Sequence, residues 1–247
     1  MKAFLLACVA ALSVGAAQAE TTQVAVAANF TDAAKAIAEA FKAETGHEAV
    51  MSFGSTGQLY TQISQAAPFD VLLSADDIRP AKAVEDKLGV PGTVFTYAIG
   101  QLALWSAQPG RVNGAETFQD ADLTRIAIAN PKTAPYGAAA VQAMQKLGVY
   151  DTLLPKIVQG DSITQTLQFI ATGNAEIGFV AYSQVIGNAE GSLWLVEPSL
   201  YDPLRQDAVL LTHGAESPAA KAYLEFLKGP KAKEIIESFG YTLPPAR

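Results

Sequence analysis

Apolar positions along this chain fall into short β-rich runs, each followed by a stretch with helical spacing. Residues 23–28 (QVAVAA) are apolar at nearly every position, the pattern of a strand buried on both faces. Residues 33–45 follow with Ala34, Ile37, Ala38 and Phe41 on one face, the i, i+3, i+4, i+7 spacing of an amphipathic helix. The alternation continues with strands at 49–53 and 69–74 and helices at 58–65 and about 80–87. Residues 97–105 (YAIGQLALW) form a longer run with Gly100 inside it, read here as one long strand able to bend between two lobes. Beyond it the pattern restarts: strands at 126–129, 177–182, 194–196 and 208–212, and helices at 138–147, 164–172, 218–228 and 231–239. Gly229-Pro230 separates the last two helices. Such alternation predicts parallel strands with helices over both faces. The restart predicts two α/β lobes with a cleft between them. Lobe 1 is assigned residues 20–101 and 205–247, lobe 2 residues 102–204, with crossings near 99–102 and 203–207.

The first residues follow a different logic. Lys2 precedes an apolar stretch at 3–14 interrupted only by Ser13, and Ala17-Gln18-Ala19 puts small residues at the two positions a signal peptidase reads. This predicts a secretory signal peptide over residues 1–19, cut after Ala19, too short and wrongly flanked to span a membrane. Leu5-Leu6-Ala7-Cys8 resembles a lipoprotein box only faintly, because almost no hydrophobic region precedes Cys8. Cys8 is the single cysteine and leaves with the leader, so the mature chain has neither disulfide nor thiol chemistry. The roughly 228 residues that remain of 247 bury enough surface for one large or two modest cores.

Charge narrows the partners. Seventeen Lys and Arg stand against 24 Asp and Glu, a formal charge of −7 that becomes −8 once Lys2 is removed. Nucleic-acid binding rests on cations at phosphates, so this balance argues against it. It also means that any anion must be held by local dipoles. Four strand–helix junctions are built for that: Ala28-Asn29-Phe30-Thr31, Gly54-Ser55-Thr56-Gly57, Thr133-Ala134-Pro135-Tyr136-Gly137 and Gly160-Asp161-Ser162-Ile163. Each is rich in hydroxyl, amide or small residues and poor in cations. A helix start exposes unpaired N–H groups and about half a positive charge, which makes an anion cradle. Taken singly, each junction reads as an ordinary helix cap; the anion reading comes from the set. Gly54-Ser55-Thr56-Gly57 lacks the lysine of a phosphate-binding loop, which excludes nucleotides.

At these residues the sequence resembles the periplasmic molybdate-binding proteins of bacterial ABC importers. The markers are VAANFTDA at 26–33, SFGSTG at 52–57, APFDVLLSAD at 67–76, LGVYDTL at 147–153, IGFV at 177–180 and FLKGP at 226–230, spread over nearly the whole mature chain. The resemblance implies a type II periplasmic binding protein fold: two α/β lobes, each a mixed sheet flanked by helices, closing on a tetrahedral dianion. It implies ligand positions at Asn29, Ser55, Thr56, Tyr136 and Ile163, with Ile163 acting through its backbone amide. The ion would be molybdate or tungstate, held by neutral donors, with no side chain ligating the metal directly. It further implies a periplasmic monomer without cofactor, working with a membrane permease and its ATPase. Asn29 stands where some members have serine, and Ala181 where some have a tyrosine; Tyr182, one residue on, is left outside the site.

Two other readings compete. The same fold can carry a different oxyanion such as sulfate, or a small organic acid. Organic carboxylates recruit an arginine fork, however, and Arg79, Arg111, Arg125 and Arg205 lie outside the four junctions. A secreted hydrolase is the second. His47 sits in a polar loop and His213 follows a strand near the C-terminus, and the chain has neither a Gly-x-Ser-x-Gly elbow nor a His-Glu-x-x-His pair. Asp70, Asp76 and Asp77 suggest paired carboxylates, but a strand-end hydrogen bond for Asp70 and a turn or helix cap for Asp76 and Asp77 explain them better. Trp105 and Trp194 lie in strand-like runs and read as core. No catalytic residue is assigned, and the chain is expected not to be an enzyme.

Overall fold

The computed structural model describes residues 19–188 and 190–245. The leader expected at residues 1–19, and Cys8 with it, falls outside them apart from Ala19. The chain runs β1 (Thr21–Ala27), α1 (Thr31–Thr45), β2 (Glu48–Gly54), α2 (Thr56–Ser64), β3 (Val71–Leu73), α3 (Ile78–Glu85) and β4 (Phe95–Gly100). It continues through β5 (Leu102–Ser106), β6 (Ile126–Ala129), α4 (Pro135–Lys146), α5 (Tyr150–Leu153), β7 (Ile157–Gly160), α6 (Ile163–Ala171), β8 (Ile177–Ala181) and β9 (Ser192–Leu195). It closes with β10 (Leu204–Leu210), α7 (Pro218–Lys228) and α8 (Pro230–Ser238). None of the described helices is long and apolar enough to cross a membrane.

Two five-stranded sheets result, with orders β2-β1-β3-β10-β4 and β7-β6-β8-β5-β9. Three strands of each are parallel, as strand–helix–strand repeats require. The remaining two run antiparallel to them or to each other. Each sheet is mixed, as the resemblance implied and as strand–helix alternation alone did not, because β5 and β10 are the strands on which the chain changes lobe and they enter from the opposite end. Both lobes bury their sheets on two faces, one large apolar cluster on one face and a smaller one on the other.

The run at 97–105 is not one bent strand. It breaks at Gln101, with β4 in the first sheet and β5 in the second. Gly100 is needed for room rather than for bending: a Cβ there would overlap the Tyr136 hydroxyl and stand 2.6 Å from Gln206 Nε2. Strand β7 was not anticipated, since Ile157-Val158-Gln159-Gly160 is too short and too partly exposed to carry a periodic signal. Helices α1, α2 and α4 each begin two or three residues earlier than their apolar spacing suggested. Thr56 and Tyr136 thereby become first-turn residues instead of loop residues, which changes what their backbone can do.

Helix α4 is seated by its glycine. A Cβ on Gly137 would overlap the carbonyl oxygen of Ala129 and lie 2.7 Å from its carbon, so only hydrogen lets the first turn of α4 press on β6. Backbone cannot yield as a side-chain tip can. Gly137→Ala should therefore cost about 2 kcal/mol or more, a fall of roughly 4–8 °C in melting temperature for a chain this long. Calorimetry of the variant checks this, and an unchanged melting point would show that α4 can shift freely.

Candidate anion-binding site

All five residues singled out by the sequence meet at one place. Asn29, Ser55, Thr56, Tyr136 and Ile163, with Ala27, Ala28, Ala75, Ala134 and Pro135, line a small cavity between the lobes. Each of the five is between 1% and 5% exposed. Asn29 belongs to a short 3-10 turn after β1, Ser55 and Thr56 open α2, Tyr136 is the second residue of α4, and Ile163 is the first of α6. Four helical starts from two sheets thus point at one spot. The N–H groups in a first turn have no partner within their own helix, so Thr56, Tyr136 and Ile163 bring backbone donors as well as side chains.

The hydroxyls are oriented by what lies behind them. Thr56 Oγ1 accepts from the Ala75 N–H at 3.0 Å, which leaves its own proton for the cavity. Tyr136 Oη accepts from Gln206 Nε2 at 3.3 Å, with the same consequence. Ser55 Oγ is buried with no hydrogen-bond partner among the described residues. A buried hydroxyl left unpaired costs about 1–3 kcal/mol, which marks a group held ready for something else. Asn29 behaves differently. Its side-chain Nδ2 donates to Gln206 Oε1 at 3.0 Å and to the Tyr241 hydroxyl at 3.1 Å, so its two protons are engaged within the protein and its free donor is the backbone N–H. Burial pushes the Tyr136 phenol well above its ordinary pKa, so it stays protonated. The lining has no Lys, Arg, Asp or Glu.

The lobes touch around this cavity. Gly57 N–H donates to the Thr133 carbonyl at 2.9 Å, Ser183 Oγ to the Asn29 carbonyl at 3.0 Å, and Arg79 Nη2 to the Lys132 carbonyl at 3.1 Å. Arg79 is held by an ion pair with Asp76, whose Oδ1 also accepts from the Arg79 N–H at 2.9 Å. Such an arrangement can enclose a compact, fully deprotonated anion and exclude water from it.

A family profile described as bacterial extracellular solute-binding protein matches residues 22–242. The chain belongs to that family. This solute-binding protein is 58% identical over 236 residues to the molybdate-binding protein ModA of Rhodobacter capsulatus, covering 96% of this chain and 93% of that protein. It is 53% identical to the corresponding protein of Azotobacter vinelandii, over 97% of this chain and 94% of that one. A solved structure, the periplasmic molybdate-binding protein of Azotobacter vinelandii, superposes with a TM-score of 0.87 at 40% identity, covering 90% of this chain and 99% of that one.

The other residues weighed in the sequence take structural places in the solute-binding protein. Asp70 accepts from Gln23 N–H at 2.8 Å and Thr22 Oγ1 at 3.1 Å, and its other oxygen faces His213 Nδ1 at 2.7 Å. Trp105 is core, and Trp194 packs partly buried against the larger lobe 2 cluster. Tyr182 lies against Gly240, away from the cavity lining. Sequence reasoning missed Gln206, Tyr241, Ala75 and Arg79. Nothing local marks them, since each acts on a residue far away in the chain.

Gly57 sets how closely the lobes meet. A Cβ there would sit 3.0 Å from Thr133 Cα, 3.1 Å from Thr133 Cβ and 3.2 Å from Arg79 Nη2. That crowding exists only when the lobes touch. Gly57→Ala should leave the melting temperature of the free chain within about 2 °C of native, as for a surface change. Small-angle scattering with saturating oxyanion should then give a larger radius of gyration than for the native chain; equal radii would show that the lobes close without this contact.

Proposed function

We propose that this chain is the periplasmic binding component of a molybdate ABC importer, taking tungstate as well. The observation that carries this reading is the cavity itself: a small interlobe pocket lined by oriented neutral donors, with an unpartnered buried serine hydroxyl and without a single charged side chain. Molybdate and tungstate are doubly negative at neutral pH and accept at every oxygen. The Asn29, Thr56 and Ile163 N–H groups and the Ser55, Thr56 and Tyr136 hydroxyls are the donors assigned to them. Hydrogen bonds to an ion contribute roughly 1.5–3 kcal/mol each, so about six of them exceed the ~8 kcal/mol of a micromolar complex and leave a margin for ordering. Helix dipoles add to this and need no cation. The names of the relatives point the same way.

Function then follows from closure. The ion exchanges its water shell for fixed donors on both lobes, and the hinge swings shut because each lobe alone satisfies only part of the ion. A membrane permease recognises the closed form, and its ATPase drives release and import. The binding protein acts as a monomer in the periplasm after loss of residues 1–19, and performs no chemistry on its cargo.

A thermal-shift panel of the mature chain tests the reading, because a ligand that binds only the folded state must raise its melting temperature. Molybdate and tungstate should give large shifts, sulfate little and hydrogen phosphate none. Equal shifts for sulfate and molybdate would move the assignment to a general oxyanion carrier, and no shift with molybdate would end it. By calorimetry, Thr56→Ala should weaken molybdate binding roughly tenfold or more, the loss of one hydrogen bond to a charge. Ile163→Ala, which keeps the amide, should weaken it less than about threefold; equal losses would contradict the separate roles of hydroxyl and backbone.

A further inference from the structure

Behind the cavity lies a chain of hydrogen bonds whose direction can be read from the distances. It starts at a group that cannot donate. The Tyr241 hydroxyl oxygen lies 2.7 Å from the backbone carbonyl oxygen of Asn29, so the proton between them belongs to Tyr241. With its proton spent, the Tyr241 oxygen can only accept from the groups around it, so the Asn29 amide atom 3.1 Å away must be nitrogen; Ser183 Oγ, 2.9 Å away, shares its proton between Tyr241 and the Asn29 carbonyl. That same nitrogen is 3.0 Å from the side-chain amide of Gln206, which must present oxygen to it; the Tyr97 hydroxyl, 3.1 Å from that oxygen and 3.0 Å from the Ser74 carbonyl, shares its one proton between the two, so the contact with Asn29 is what sets the Gln206 amide. Gln206 is fully buried and its orientation is now fixed, with Nε2 turned to the Tyr136 oxygen at 3.3 Å. Tyr136 must accept there, and its only proton is left for the cavity it lines.

We propose that Gln206 is a specificity-determining positioning residue: held by Asn29 and Tyr241, it obliges Tyr136 to meet the ligand as a donor and never as an acceptor. This rests on the reading of the cavity as an oxyanion site. Its consequence is discrimination by protonation. A fully ionised tetrahedral oxyanion accepts from Tyr136, whereas hydrogen phosphate turns one hydroxyl toward the lining and needs an acceptor, which a free tyrosine could supply by rotating its O–H. Gly100 belongs to the same device, since any side chain there would occupy the space of the Tyr136–Gln206 pair. Gln206 sits on β10 beside the lobe crossing, Tyr136 on α4 of the other lobe, so the constraint operates across the hinge.

Calorimetry at pH 7.5 with molybdate and with inorganic phosphate, on the mature chain and the variants Gln206→Met, Tyr136→Phe and both together, tests this. Gln206→Met should weaken molybdate binding roughly tenfold in the native background and less than about twofold in Tyr136→Phe, because the residue acts through the hydroxyl. The preference for molybdate over phosphate should fall in Gln206→Met. Equal losses in both backgrounds, or an unchanged preference, would overturn the role. If Gln206→Met melts far below the native chain, Gln206→Glu carries the test with nearly the same shape. An ionised carboxylate can only accept, so Tyr136 must turn its proton away from the cavity, and molybdate affinity should fall more than about a hundredfold once the buried carboxyl ionises and recover at lower pH, where it holds a proton and donates as the amide does; an affinity within twofold of native from about pH 6 to about pH 9 would overturn the role as well. A native chain that gives no heat with molybdate removes the oxyanion reading and this role together, whereas binding with an additive cycle removes the role alone.

Discussion

A hydroxyl carries one proton, and in a site lined by no cationic side chain the direction of that proton decides what can be bound. Thr56 and Tyr136 both have their oxygens occupied from behind, by the Ala75 N–H and by Gln206 Nε2. Both must therefore point hydrogen inward. Backbone amides at helix starts have no choice at all, because an N–H is only ever a donor. The cavity is consequently a concave surface of positive dipole ends, although the chain around it carries a net charge of −7. Overall charge sets solubility and steering; a buried anion responds to the few dipoles within reach.

That arrangement works only while two separately folded sheets are held in register, and much of the structure serves this. Gln101 is all that separates a strand of one sheet from a strand of the other. Next to it Gly100 leaves space, Gln206 links residues of both lobes, and Gln101 Nε2 donates to the Gly240 carbonyl at 2.7 Å. Around the cavity mouth the lobes are tied by single, more yielding bonds: Gly57 N–H and Arg79 at carbonyls of the other lobe, Ser183 Oγ at the Asn29 carbonyl and Thr164 Oγ1 at the Ala28 carbonyl. A dense hinge opposite a lightly tied mouth is what a reversible closure requires. Few contacts at the mouth mean a small penalty for opening, so the ligand's own bonds can tip the balance between states.

Much of this was written into local sequence. Strand and helix alternation, the lobe change near residue 100, and the four junctions follow from apolar spacing and from where small and hydroxylated residues interrupt it, because those signals depend on neighbours in the chain. The five lining residues came through resemblance combined with those junctions. Net charge and the single Cys8 excluded nucleic acid and thiol chemistry without any structure.

Tertiary structure decided the rest, for one physical reason: hydrogen-bond direction and close approach are properties of pairs. Asn29 looks like a side-chain ligand in the sequence, and only the contact with Gln206, 177 positions away, shows its amide turned inward to the protein. Gly100 looks like a strand bend until Tyr136 is placed against it. Gln206 carries no local signal that sets it apart, being the middle of three polar residues near the start of a buried strand, and its part in the site exists only because β10 crosses between the lobes beside α4. Local sequence selected the elements and the donors; the folded chain fixed which way each donor faces.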